Sequence, residues 1–554
     1  MSHQQPTSKV RLFRAREISR SLKSSGLKFL LACTSVLLMA PQVAAAENIV
    51  LSLGPLEFAL SVEALRTFVD EGKVTGNLRD YARFLSDSQL ESFRQSLSTR
   101  ADIEPLSLSQ FFYSYQGIKI LERVGDIIRS RAGQTGFYAL RSALILAADS
   151  PEGLTPIKFL ETIPLSTIKI ESLSGLQIFN ELSDLIQISN NAIAAVEETA
   201  ILETNQETST VSEQLNPRGE FNYRKETLEL RDLNRARNLP LDLYLPKTEQ
   251  GREPLPLIVI SHGLGSDRNS FAYLASFLAS HGFAVAVPEH PGSSASQIQN
   301  LLEGLANDVT PPEEFINRPL DISFVLDHIA EQYPARINTQ DVGILGQSFG
   351  AYTALAVAGA ELDLSNLRQV CGQIDKSFNV SLFLQCLALE VPPEELRTNF
   401  RDSRITSAIA INPLTSALFG AKGMAEIKIP IMLVAGGNDP ITPALPEQIR
   451  PFTWLNSPEK YLLLMRGGTH FSTLNESSGS IPVPSAAIGP DPKIGQNYIE
   501  QLGLLFFGDR QEQIQPPFGN LTSSYAASIS QAEMPLSLIS RLKGDRLDSF
   551  LRDR

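Results

Sequence analysis

The sequence predicts an α/β protein. A mainly parallel sheet covered by helices on both faces is preceded by a mostly helical N-terminal domain. Three observations carry this expectation. From residue 220 onward, strand-like and helix-like patterns alternate. The strand patterns, such as "LPLIVIS" (255–261), are near-continuous apolar runs, as in strands buried on both faces. Residues 47–196 instead read mainly at helical period.

The chain has 554 residues, 43% hydrophobic and 20% charged, which is globular and long enough for more than one domain. A formal net charge of −13 argues against a nucleic-acid footprint and a polybasic membrane patch. Residues 1–28 reverse that balance with seven Lys and Arg against Glu17. The apolar run "FLLACTSVLLMA" and "PQVAAAEN" follow. Basic, apolar, then A-x-A is the pattern of a secretory signal peptide, 1–46, with an uncleaved anchor as the alternative. The run is short for a membrane span, so no integral span is expected after cleavage. Cleavage would take the charge to −19 and leave two of the three cysteines, Cys371 and Cys386. An even pair in an exported chain (periplasmic or extracellular) suggests a disulfide.

In order, "NIVLSLGPLEFALS" reads as two strands about Gly54-Pro55, and "SVEALRTFVDEG" as a helix closed by Gly72. "SQLESFRQSL" opens with Ser88 and Glu91 at capping-box spacing. "LSQFFYSYQGIKILERVGDIIRS", "GFYALRSALILAA" and "GLQIFNELSDLIQISNNAIAAVEE" continue the helical domain. No histidine or cysteine falls within 47–196, so this region reads as packing or binding. Residues 197–219 are polar and acidic, a linker pattern. The second domain, 220–510, starts with an antiparallel pair, "KETLELRDL" and "LPLDLYLP". Strands follow in "LPLIVIS", "FAVAVP", "DVGILG", "ITSAIAINP", "IPIMLVAGG" and "KYLLLMRGG". An insertion at about 361–404, holding both cysteines, reads as a cap; 511–554 reads as a C-terminal extension.

The chemistry centres on "DVGILGQSFGAYTALAVAGAE", where a strand becomes a helix at Ser348. A sharp strand-to-helix turn lifts a nucleophilic serine to the sheet edge where substrates dock. Side chains two residues to either side would collide, which calls for Gly346 and Gly350. The helix start offers free N–H groups and positive dipole to an oxyanion. A serine hydroxyl needs a base. His470 in "RGGTHFS" and Asp439 in "VAGGNDPITP" each follow a strand, in the order Ser, Asp, His. Asp before Pro is also a turn former. The turn "SHGLGS" after the first long parallel strand is where the second oxyanion donor arises; Leu264 N–H is expected there beside Phe349 N–H. His262, His290 and Phe471 are pocket candidates, and the aromatic faces of Phe349 and Phe471 are expected to line the site. His281 and His328 read as structural. No H-E-x-x-H or Cys/His cluster occurs, so no metal and no other cofactor is expected.

"ISHGLGSDRNSF", "AVPEHPGSSAS", "GQSFGAYTA", "GGNDPITP" and "GGTHFS" together resemble α/β-hydrolases of the plasma-type platelet-activating-factor acetylhydrolase and dienelactone-hydrolase kind, over roughly 220–510. The resemblance implies an α/β-hydrolase fold, Ser348, Asp439 and His470 as triad, and the Leu264 and Phe349 amides as oxyanion hole. Two departures stand out. The acetylhydrolases carry their acid one strand earlier, where this chain has "AINPL"; the dienelactone hydrolases use a cysteine nucleophile. Residues 47–180 look like an uncharacterised helical domain found ahead of such hydrolases in exported bacterial proteins. The function expected is an exported serine hydrolase cleaving lipid-like or short-to-medium acyl esters through an acyl-enzyme. The alternatives are a peptidase or amidase on the same triad, and a non-catalytic binding protein.

Overall fold

The computed structural model describes residues 46–552 apart from 54–55, 102, 208–217, 248–253, 375–376, 393, 397, 476–487 and 509–520. All but the last residue of the segment read as a signal peptide, and the Gly54-Pro55 turn, lie outside the described residues. Among those described, no helix is long and apolar enough to cross a membrane.

The N-terminal unit is mostly helical and also holds a four-stranded sheet, of which only the first hairpin was legible. Strands β1 (Asn48–Leu53) and β2 (Leu56–Ser61) pair antiparallel. Helices α1 (Val62–Glu71), α2 (Asp87–Ser98), α3 (Pro105–Tyr113) and α4 (Tyr115–Ile127) follow. Ser61 caps α1, and Gly72 closes it at φ 68°, a conformation that favours glycine. The capping box of α2 lies two residues earlier than its sequence suggested: Ser86 pairs with Gln89, while Glu91 binds Arg94. The missed strands are β3 (Ile128–Ser130) and β4 (Thr167–Glu171). The first merely continues α4, so helical period masked it. The second, "TIKIE", alternates apolar and polar residues and pairs parallel with β1.

Helix α5 (Ser172–Gln206) then leaves the unit and overturns the expected boundary. Residues 197–206, read as linker, are its last turns. Ala192, Ile193, Val196 and Ala200 are buried in the core of the second sheet. The buried Glu203 carboxylate accepts hydrogen bonds from the Ser540 and Arg541 amides, 2.8 and 3.1 Å away. This helix therefore belongs to both halves.

The second sheet has nine strands: β5 (Tyr223–Asp232), β6 (Arg237–Pro246), β7 (Leu255–Ser261), β8 (Ala284–Pro288), β9 (Ile337–Gln347), β10 (Ile405–Ile411), β11 (Ile431–Gly436), β12 (Lys460–Met465) and β13 (Leu536–Ile539). Their spatial order is β13-β12-β11-β10-β9-β7-β8-β6-β5. From β8 to β12 every pairing is parallel, so the carboxyl ends of these strands share one edge. Two apolar layers, one on each face, bury the sheet. The expected C-terminal extension is a correction too: its strand β13 pairs antiparallel with β12 and completes the sheet.

The insertion expected as a cap is tied to the body. Cys371 and Cys386 form a disulfide, with Cα atoms 5.7 Å apart. Yet Leu367, Leu382, Cys386 and Leu387 join the main core. The buried Glu447 carboxylate holds the insertion down, accepting from Ser381 Oγ and Gln385 Nε2 (both 3.0 Å) and from the Thr415 and Ser416 amides (2.7 and 2.9 Å). A segment so tied packs as part of the body.

Candidate active site

Strand β9 ends at Gln347, and helix α6 (Phe349–Ala358) begins one residue later. Ser348 between them has φ 56° and ψ −118°, a backbone that costs a non-glycine residue about 1–3 kcal/mol. The turn is held from several sides. The Ser348 amide donates to Ile411 O at 2.8 Å. A Cβ on Gly346 would lie 2.0 Å from Gly350 O, and one on Gly350 would lie 2.0 Å from Ser261 O. Both glycines are therefore required by close approach, as the motif implied.

His470 follows β12, and Asp439 follows β11, the adjacent parallel strand. His470 Nδ1 and Asp439 Oδ2 are 2.7 Å apart, both side chains nearly fully buried. Asp439 serves as turn former as well. Its Oδ1 accepts from the Ile441 and Thr442 amides at 2.7 and 2.9 Å, leaving Oδ2 for the histidine. A carboxylate accepts from Nδ1–H, so Nε2 carries the free lone pair. The loop bearing His470 is tied to the serine turn: Gln347 Nε2 donates to His470 O at 3.1 Å.

Three residues unmarked by the sequence support this arrangement. Thr442 Oγ1 donates to Asp439 Oδ2 at 2.7 Å. Asn412, in the "AINPL" segment, has φ 46°; its side chain accepts from Gly436 N (3.0 Å) and donates to Thr469 O (3.3 Å). It braces the ends of β10 and β11 and the loop after β12. Arg318 is the third. A hydroxyl three residues beyond a turn-forming Asp was a readable signal for Thr442; Arg318 had none.

The loop after β7 runs against the serine turn. A Cβ on Gly263 would lie 2.4 Å from Gln347 Oε1 and 3.4 Å from Ser348 Cβ. Leu264 follows directly, and its amide has no acceptor among the described residues. The Phe349 amide, first in α6, has no acceptor within its own helix.

Two expectations fail here. His262 and His290 are fully buried, so they are not pocket walls. His262 Nε2 accepts from the His290 amide at 2.9 Å and Nδ1 donates to Gly263 O at 2.8 Å. Burial, with Arg318 nearby, holds both rings' pKa well below the ordinary histidine value, hence neutral. Phe349 does not line a pocket with its ring, which packs on Phe315 and Tyr352 with centroids 4.9 and 5.6 Å away. Phe471 is half-buried and meets His470 edge-on. Glu289, the other acid near this edge, pairs with Arg268 instead. His281 caps its helix by bonding Phe277 O at 2.8 Å.

Residues 45–171 match a family described as an alpha/beta hydrolase of unknown function (DUF1400). Residues 238–317 match one described as platelet-activating factor acetylhydrolase, isoform II. A platelet-activating factor acetylhydrolase of Canis lupus familiaris is 29% identical over 140 residues, 19% of this chain and 32% of the dog protein. One of Bos taurus is 52% identical over 44 residues, 8% of this chain and 10% of the bovine protein. The chain thus spans about a third or less of the length of the curated relatives it matches.

Proposed function

Starting from an α/β-hydrolase similar to the platelet-activating factor acetylhydrolases, we propose that the chain is a serine hydrolase cleaving carboxylic esters through an acyl-enzyme. One observation carries the reading: Ser348 stands on a strained strand-to-helix turn at the sheet edge where an Asp439–His470 pair is held at 2.7 Å.

In this mechanism His470 Nε2 takes the proton of Ser348 Oγ as that oxygen bonds the acyl carbonyl carbon. The carbonyl π pair becomes an oxyanion, which accepts from the Leu264 and Phe349 amides and faces the positive end of α6. Asp439 holds the imidazolium that has formed. On collapse the C–O bond to the leaving group breaks, and His470 gives its proton to the departing alkoxide. Water, deprotonated by the same imidazole, then adds to the acyl carbon; the bond to Ser348 Oγ breaks, His470 returns its proton to that oxygen, and the carboxylic acid leaves.

The substrate we favour is a soluble or dispersed hydrophobic ester of modest acyl length. The relatives' name points to hydrolysis of an acetyl group, and the strongly acidic chain disfavours intact anionic bilayers. Export to periplasm or medium belongs to the same proposal and rests on the N-terminal sequence pattern. The test compares kcat/KM for acetyl, butyryl, octanoyl and palmitoyl p-nitrophenyl esters and one p-nitroanilide. Short or medium esters should lead. A best substrate among amides would replace the esterase reading with a peptidase one; failure of fluorophosphonate to label Ser348 would remove both.

A further inference from the structure

The helix Glu314–Gln332 lies under the site and carries Arg318, whose side chain is fully buried. Its acceptors are three hydroxyls and one carbonyl. Nε donates to Thr353 Oγ1 (3.0 Å) and Nη1 to Ser293 Oγ (2.6 Å). Nη2 donates to Ser261 Oγ (3.2 Å) and to the His262 carbonyl. The guanidinium also sits 4.7 Å from the centre of the Phe349 ring. It thus touches the peptide one residue before Gly263-Leu264 and the residue after the nucleophile. Those are the two places from which the oxyanion donors come. We infer that Arg318 is a positioning residue of the oxyanion hole, fixing the Leu264 and Phe349 amides relative to each other and to Ser348.

The surroundings are built to hold that guanidinium in one orientation. Ser293 Oγ in turn donates to Glu314 Oε2 (2.9 Å), which also accepts from Arg237 Nη2 (3.0 Å). Arg237 reaches Asp321 Oδ2 (2.9 Å) with the same nitrogen. Asp321 accepts from His290 Nδ1 (2.9 Å), whose Nε2 accepts from Ser261 Oγ (3.0 Å). Ser261, having accepted from Arg318, closes the ring. Every donor in the cycle has a defined direction, which also fixes His290 as neutral with its proton on Nδ1. Burial pushes the Arg318 pKa down to about 9, opposed by the Glu314 and Asp321 anions.

A buried cation whose immediate partners are neutral is a costly way to gain stability. Its use is orientation: a planar fork with fixed donor directions sets the geometry of what it grips. A lysine, being a point charge, cannot hold four acceptors on three segments at once.

The inference rests on the serine-hydrolase reading, and the test separates the two. Arg318→Lys is made, together with Ser293→Ala and Thr353→Val, which keep the charge but loosen its seat should the first variant not fold. Each protein is titrated with a fluorophosphonate so that kcat refers to competent Ser348 alone. Turnover of p-nitrophenyl acetate and inhibition by an octyl trifluoromethyl ketone are then read. Arg318→Lys should lower kcat about 10²-fold with KM within about threefold, as loss of an oxyanion donor does. The ketone, which needs the same donors, should weaken in proportion. The two hydroxyl variants should move both quantities the same way, by roughly tenfold. Variants that lose Tm or titratable sites, yet keep kcat per site and ketone affinity, overturn the inference. Should Ser348→Ala keep wild-type turnover, the serine-hydrolase reading falls, and this inference with it.

Discussion

At the scale of single residues, Asp439 shows how one side chain can serve the backbone and the proposed chemistry together. Its two oxygens divide the work, so Asp439→Asn should keep the turn but present an amide to His470. We expect kcat to fall about 10³–10⁴-fold with the melting temperature little changed, measured on p-nitrophenyl acetate. Near-wild-type turnover would move the acid elsewhere, Glu289 being the obvious next test. Thr442→Val removes one donor to the same carboxylate and should cost roughly tenfold in kcat, equal to about 1.4 kcal/mol. Glu500 gives a pH signature away from the chemistry. Burial raises its pKa from 4.5 to about 7. The folded state then binds a proton that the unfolded state has already released. The resulting stability is full below pH 4.5, is lost as pH rises to about 7, and stays lost above that. Glu500→Gln should therefore stabilise the protein at pH 8 and scarcely at pH 4. The gain should be about 1–2 kcal/mol after allowing for partial exposure. Equal urea midpoints for both proteins at pH 8 would contradict this.

Elements are fixed by what they meet. The serine turn survives its strain because β10 accepts the Ser348 amide, and the loop after β7 fills the space beside Gly350. Gly350→Ala would drive a methyl group into the Ser261 carbonyl. It should cost at least about 1–3 kcal/mol and displace the Gly263-Leu264 segment, lowering kcat alongside stability. The inserted segment 361–404 is secured twice, by Glu447 and by the disulfide. The bridged cysteines are 15 residues apart, so Cys371→Ser with Cys386→Ser should cost about 3 kcal/mol in a urea titration. Because the segment packs into the core, that variant should keep its kcat once folded. A change in acyl-chain preference would restore the view that it covers the substrate.

For the whole molecule, α5 and the C-terminal strand decide what can be removed. The last turns of α5 cover the second sheet, and Glu203 and Glu207 cap or brace the segment 521–541; Glu207 accepts from the Ser523 and Ser524 amides at 2.9 and 2.8 Å. Cutting the chain at residue 197, where composition suggests a linker, would strip buried apolar side chains from the sheet. A fragment starting at 197 should be insoluble, whereas one starting at 186 retains the packed half of α5. Deleting 521–554 would remove β13 and expose the edge of β12, an invitation to aggregation. Soluble, active protein after either cut would refute this account of the fold's limits.

The sequence by itself determined the alternation that makes a covered parallel sheet, the glycine-flanked serine, and the Asp and His after the last two parallel strands. These are local facts: a two-residue or 3.6-residue period, a steric demand for glycine, a residue type at a strand end. Both bridging cysteines were legible for the same reason. Only the tertiary structure decided the rest. It made "TIKIE" a strand because β1 and β3 stood beside it, and it turned a polar stretch into helix because α5 had a sheet to cover. The insertion packs into the core because Glu447 was there to receive its side-chain amides and hydroxyls. His262 and His290, read as pocket walls in the sequence, are buried behind the loop after β7. Arg318 had no signal at all: a lone arginine in a helical period reads as solvated. Its meaning depends on β7, α6 and its own helix meeting at one point, and long-range packing of that kind leaves no mark on neighbouring residues.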